Sequence, residues 1–118
     1  MGSYRDLLAW QKAMELITQI YRVSQKFPPE ELYGMVSQMR RAAVSIPSNI
    51  AEGQGRLTKG EFIQFLGIAR GSLLELETQI LVAQNLHYLN EPTLKNLLGL
   101  TSEVGRLVNG LLSAIKKR

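Results

Sequence analysis

The chain contains no cysteine, which excludes disulfides and thiolate metal sites and suits a reducing cytoplasm. Its single histidine, His87, leaves no pair of imidazoles for a zinc centre and no repeated Glu-x-x-His for a di-iron bundle. No GxSxG context surrounds any serine, so nothing supports a Ser-His-Asp triad. Gly53-Gln54-Gly55 has no strand before it and no GK[ST] after it. It is therefore neither a phosphate loop nor a dinucleotide fingerprint. No apolar run reaches the ~18–20 residues that cross a bilayer, and MGSYRDLLAWQKAM lacks the apolar segment of a secretory signal. Aromatics make up only 7% of the residues. Tyr4, Trp10, Tyr21, Phe62 and Phe65 fall at helical spacing, which suits a core better than a base-stacking platform. These absences predict a protein that is not an enzyme and has no cofactor and no metal.

What is present is an ordinary apolar fraction, 45% of 118 residues, enough for one domain over residues 1–118. Fourteen Lys and Arg stand against ten Asp and Glu, a formal charge of +4 with a pI near 9.6. This balance permits contact with nucleic acid. Half of the basic residues gather in two places: Arg40, Arg41, Arg56 and Lys59 around the middle of the chain, and Lys116, Lys117 and Arg118 at its end. The tail is read first as a solvated helix end whose cations suit the helix dipole.

Apolar spacing predicts four helices and no strand. The first covers about Tyr4 to Lys26, with Ser3 and Asp6 as a capping pair and an apolar stripe of Leu7, Leu8, Met14, Ile17 and Tyr21, joined by Trp10. Phe27-Pro28-Pro29 stops it. The second covers about Glu30 to Gln54, with Met35 or Val36, Met39, Ala43, Ile46 and Ile50 inward. Pro47 removes an amide and crowds the carbonyl of Ala43, so this helix is either kinked at Pro47 or broken there with Ser45 as a new cap. Gly53 and Gly55 end it. The third starts on Thr58 and Glu61 and runs to Leu86 or Leu89. Phe62, Phe65, Leu66, Ala69, Leu73, Leu76, Ile80 and Ala83 form its core stripe. A second stripe, Ile68, Ser72, Glu75, Gln79, Val82 and Leu86, is apolar at both ends and polar between. Asn90-Glu91-Pro92 opens the fourth, which reaches Lys116. Long helices with short connections predict an all-α, antiparallel up-down-up-down four-helix bundle.

Polar groups stand where apolar ones are usual. Arg41, Ser45, Ser48 and Glu52 share one face of the second helix, with Asn49 beside them. Ser72, Glu75 and Gln79 share a face of the third, and Glu77 points elsewhere. The residue types suggest a polar network between helices or between subunits. In it one or both of Glu75 and Glu77 pair with Arg40 or Arg41, because buried carboxylates need partners. Gly67 and Gly71 in the third helix, and Gly105 and Gly110 in the fourth, serve either local packing or an oligomer interface.

The segment YRDLLAWQKAMELITQIYRVSQKFPPEELYGMVSQMRRAAVSIPSNIAEGQGR, followed by EFIQFLGIARGSLLELETQI, resembles the four-helix-bundle protein family, also called the 23S rRNA-intervening-sequence protein family. SIPSNIAEG, Ser45 to Gly53, carries the first hallmark. A-x-GSL-x-E-x-E-T-Q, Ala69 to Gln79, carries the second. The resemblance covers Leu7 to about Leu112. It implies a bacterial, cytoplasmic bundle that assembles as a homopentamer. Accessory variability determinants of diversity-generating retroelements look similar, and through them the resemblance implies a reverse transcriptase or nucleic acid as partner. No catalytic residue comes with the family. The motif positions that transfer are Arg41, Ser45, Pro47, Ser48, Asn49, Glu52, Ser72, Glu75, Glu77 and Gln79.

The expected function is a non-enzymatic, oligomeric binding module that engages RNA or an RNA-handling protein. Arg40, Arg41, Arg56, Lys59, Arg70, Lys116, Lys117 and Arg118 are the candidate contacts. The alternative is a purely structural homo-oligomer or protein adaptor whose charges serve solubility and ring closure. Neither reading involves a membrane or a small-molecule substrate.

Overall fold

The computed structural model describes residues 2–118. Four helices carry the chain: α1 (Leu8–Ser24), α2 (Ser37–Gln54), α3 (Lys59–Asn85) and α4 (Glu91–Lys116). They form the antiparallel up-down-up-down bundle. Each helix packs on two neighbours, α1 and α3 both lying between α2 and α4. The bundle is 46 Å long.

Heptad spacing sets this packing. The buried positions of α3 are Phe62, Leu66, Ala69, Leu73, Leu76, Ile80 and Ala83, and those of α4 include Leu94, Leu97, Thr101, Val104 and Val108. Steps of three and four in alternation give the small crossing angle of long antiparallel helices. Among the described residues twelve large side chains, Leu16, Ile50, Leu66, Leu76 and Val104 included, are under 2% exposed. Burying each contributes about 1.5–3 kcal/mol.

The first helix departs from expectation in two ways. Ser3 and Asp6 do form a capping box, but it closes only a 3₁₀ turn at Tyr4–Asp6. Leu7 is extended, so α1 starts at Leu8. The buried face is Ala9, Ala13, Leu16, Ile20 and Ser24, while Leu8, Met14 and Tyr21 are exposed. Small alanines let α1 approach its neighbours, and the larger apolar residues beside them mislead a reading by size.

The second helix starts late. Pro29–Glu31 forms a 3₁₀ turn and Leu32–Val36 a π turn. Within that turn Gly34 leaves helical geometry, with φ −109° and ψ −105°. From Ser37 the helix is continuous through Pro47, the kinked alternative of the two. Pro47 and Gly53 are both buried in it. Gly53 is more than a stop signal. A Cβ there would lie 2.7 Å from Phe65 Cβ and 3.1 Å from Phe62 Cδ1, so α2 and α3 meet at a point only glycine fits.

The caps of α3 and α4 follow their sequence signals. Glu61 N–H donates to Thr58 Oγ1 at 3.1 Å, and Thr93 N–H donates to Asn90 Oδ1 at 2.9 Å. At the far end of α3, His87 takes φ 63°. Its N–H donates to the Gln84 carbonyl at 2.9 Å, and Tyr88 N–H donates to the Ala83 carbonyl at 3.0 Å, which together form a Schellman motif. A left-handed non-glycine residue costs about 1–2 kcal/mol. Substituting His87→Gly is therefore expected to stabilise the bundle by about 1 kcal/mol. Thermal melting followed by far-ultraviolet circular dichroism reads this as a rise of a few degrees.

Candidate functional site

The SIPSN segment supplies the polar seam between α2 and α3. Ser45 and Ser72 meet hydroxyl to hydroxyl at 2.8 Å. One turn on, the Asn49 amide donates to the Ser45 carbonyl at 2.7 Å and to its hydroxyl at 2.9 Å. The carbonyl of Ser45 would normally serve only the i+4 backbone amide, and the Asn49 side chain shares it. These three residues are half-buried. The other members expected with them stand apart. Arg41, Ser48, Glu52 and Glu75 are exposed. Glu52 reaches Arg56 at 3.7 Å, and Glu77 turns to α4, accepting from Thr101 Oγ1 at 3.3 Å. Gln79 Oε1 is buried without a hydrogen-bond partner among the described residues.

The expected pairing of Glu75 or Glu77 with Arg40 or Arg41 does not form among the described residues. Arg40 lies on the α1 side of α2. Its Nε donates to Ser24 Oγ at 3.0 Å and its Nη2 to the Tyr21 carbonyl at 3.3 Å. The guanidinium also sits 4.5 Å from the Tyr21 ring centroid, a cation–π contact. Arg41, the next residue, faces solvent.

The remaining basic candidates divide by position. Arg56 stacks on Phe65 at 4.7 Å and lies near Glu52 and Glu61, at 3.7 and 3.8 Å. Lys59 Nζ donates to the main-chain oxygen of Arg118 at 2.9 Å. That bond brings the start of α3 to the end of α4, where Lys116, Lys117 and Arg118 are exposed. Arg56, Lys59, Lys116, Lys117 and Arg118 thus share one end of the bundle. Arg70 is exposed mid-way along α3, away from both groups.

The outer surface of α3 is apolar as well as polar. Ile68, Leu74, Leu81, Val82 and Leu86 are 40–56% exposed. Gly67 and Gly71 lie on this outer side, and among the described residues nothing beyond the adjoining helix backbone comes within 4 Å of a Cβ built at either. Packing within the chain therefore does not account for them. A Cβ built at Gly105 would lie 3.4 Å from Leu73 Cδ2, an ordinary contact, while one at Gly110 would meet open space among the described residues.

A feature that sequence reasoning missed is Tyr33, 93% exposed on the π turn. The pattern Leu32-Tyr33-Gly34 fits no apolar stripe, which was the available signal. Glu31 anchors the same turn by accepting from the Tyr88 hydroxyl at 2.8 Å. That bond to a carboxylate, with burial second, holds the Tyr88 phenol above its ordinary pKa. No group of three or more His, Asp or Glu able to hold a metal occurs among the described residues, and no helix is long and apolar enough to cross a membrane.

Comparison with known proteins rests on these features. The family description "23S rRNA-intervening sequence protein" matches residues 5–110, a span that includes both the SIPSN seam and its α3 partner. A solved structure from Bacteroides thetaiotaomicron VPI-5482, of unknown function and described as from the S23 ribosomal protein family, superposes with a TM-score of 0.83 at 20% identity. The match covers 90% of this chain and 96% of that one, and at this identity it speaks for the fold alone. No curated protein matches. With its sequence matched from Arg5 to Gly110, the chain belongs to the 23S rRNA-intervening sequence protein family.

Proposed function

We propose that this protein is a non-catalytic module that assembles with copies of itself and binds RNA through its basic end. The carrying observation is the gathering of Arg56, Lys59, Lys116, Lys117 and Arg118 at one end, fixed by the 2.9 Å bond from Lys59 to the Arg118 main chain. Glu52 and Glu61 lie beside Arg56 there, at 3.7 and 3.8 Å, and Asp6 at the same end is taken up in the capping box with Ser3. A patch of this kind attracts phosphate by charge and counterion release, with little base selectivity.

Fluorescence anisotropy with a labelled RNA hairpin at two salt concentrations tests the reading. Affinity is expected to fall steeply with salt, and the Lys116→Gln/Lys117→Gln variant to reduce the log–log slope by about two. A salt-independent signal, or no binding near ~50 mM salt, removes the proposal.

Self-assembly is supported by α3. A helix with apolar groups on every side belongs inside a larger packed body, and Gln79 Oε1 lacks a hydrogen-bond partner among the described residues. The same observation favours a second reading, a purely structural homo-oligomer with no nucleic-acid ligand. The hairpin titration separates the two.

A further inference from the structure

A concave surface opens at the end of the bundle opposite the C-terminal cations. It is a groove of about 480 Å³ between α1, the π turn and α2, whose lining includes Tyr21, Leu32, Tyr33, Val36, Arg40 and Arg41. A second concavity shares Leu32, Val36 and Arg40 with it and continues past Phe27 and Pro28. The size is that of small-ligand sites, ~300–1,000 Å³.

We propose that this groove holds one or two unpaired nucleotides of an RNA strand, with a base stacked on Tyr33 and phosphate on Arg41. The inference rests on the RNA-binding reading above and adds a second contact with a different chemistry. Three observations converge. Tyr33 presents an almost wholly exposed ring, 93% accessible, where the next most exposed Phe, Tyr or Trp ring, Tyr21, is at 40%. Such a ring is the sequence-tolerant stacking surface that single-strand binders use. Both arginines of the groove lack an acidic partner among the described residues. Arg40 spends Nε and Nη2 on Ser24 and Tyr21, so it is held in place on the Tyr21 ring as a fixed cation. Arg41 is free to move to a phosphate. Finally, Tyr33 is carried by the irregular turn that precedes α2, where Gly34 leaves helical geometry.

Charge selects the occupant. The acids nearest in sequence, Glu30 and Glu31, do not line the groove, and Glu31 is engaged by Tyr88. The groove is therefore cationic and aromatic, matching a stacked base with its phosphate. Duplex RNA does not fit this chemistry, because its bases are already stacked on each other and their faces are closed.

The test uses the full chain, a labelled oligouridylate and a labelled blunt-ended RNA duplex. Tyr33→Ala is expected to weaken oligouridylate binding roughly 5- to 100-fold and to leave duplex affinity unchanged. Tyr33→Phe restores the ring and the affinity. Arg41→Gln lowers the salt slope for oligouridylate by about one. Both residues are exposed, so the variants keep the wild-type melting temperature. If wild type binds oligouridylate and Tyr33→Ala binds it equally well, the groove proposal is overturned while the basic-end reading survives. If Tyr33→Ala weakens both ligands alike, the single-strand assignment is wrong. If the protein binds neither RNA, both readings fall. If a glutamate- and tyrosine-rich peptide binds in a Tyr33-dependent manner and oligouridylate does not, the groove is a protein site and this proposal fails.

Discussion

Gly53→Val is expected to lower the stability of the bundle by about 3 kcal/mol, the upper part of the usual range for overpacking. Phe65 Cβ and Phe62 Cδ1 stand 2.7 and 3.1 Å from where a Cβ would be. The first of these atoms is fixed to the α3 backbone and cannot swing away. Accommodation therefore requires α2 and α3 to separate, which also loosens the Ser45–Ser72 contact farther along the same seam. Gly53→Ala makes the sign instructive. Alanine gains about 1 kcal/mol of helix propensity over glycine, yet a net loss is expected because the clash exceeds that gain. Gly67→Ala and Gly71→Ala, with open space at both positions, are expected to stabilise the isolated chain by about 0.5–1 kcal/mol each. Urea denaturation of the four variants measures these differences. A Gly53→Val midpoint equal to wild type would refute the close approach.

The second large effect separates two leucines only two residues apart. Leu76 is wholly buried, whereas Leu74 is 56% exposed. Leu76→Ala removes a central core side chain and is expected to cost about 2–5 kcal/mol, the transfer loss plus the cavity it leaves. Leu74→Ala is expected to change the stability of the isolated chain by less than about 0.5 kcal/mol. Self-assembly through the outer surface of α3 adds a further expectation. Leu74→Ala then weakens oligomer formation in light scattering at a concentration where wild type is assembled. An unchanged oligomer with Leu74→Ala, Leu81→Ala and Val82→Ala combined removes α3 as the assembly surface.

Much of the bundle is legible in the chain because its strongest signals are local. The Thr58–Glu61 and Asn90 caps are short-range hydrogen bonds between near neighbours. The α3 stripe repeats too regularly to belong to anything but a helix. The α1 stripe misleads because Leu8, Met14 and Tyr21 are larger than Ala9 and Ala13, and the sequence alone does not say that the seam needs small residues. The start of α2 misleads for a related reason. Glu30 to Val36 has helical composition, yet Gly34 leaves helical geometry there. Partner choice is the least legible property. Spacing turns Glu77 away from the Ser72 stripe without naming its partner, which is Thr101 on α4, and it offers Arg40 to a glutamate of α3, whereas Arg40 binds Tyr21 on α1. Such choices depend on how far each helix is rotated, which follows from packing and not from spacing along one segment.

The seven-residue repeat of α3 has one more consequence. Along one of its two inward rows the residues are Phe62, Ala69, Leu76 and Ala83, bulky and small by turns. Sliding α3 by one heptad along its neighbours would keep every apolar residue inward, and pattern alone would not forbid it. The sizes do forbid it, because each alanine would land where a phenylalanine or leucine had been and each bulky side chain where an alanine had been. Voids and collisions would alternate along the same row. The alternation therefore works as a ratchet that sets the axial position of α3, and with it which α3 residue stands opposite Ser45.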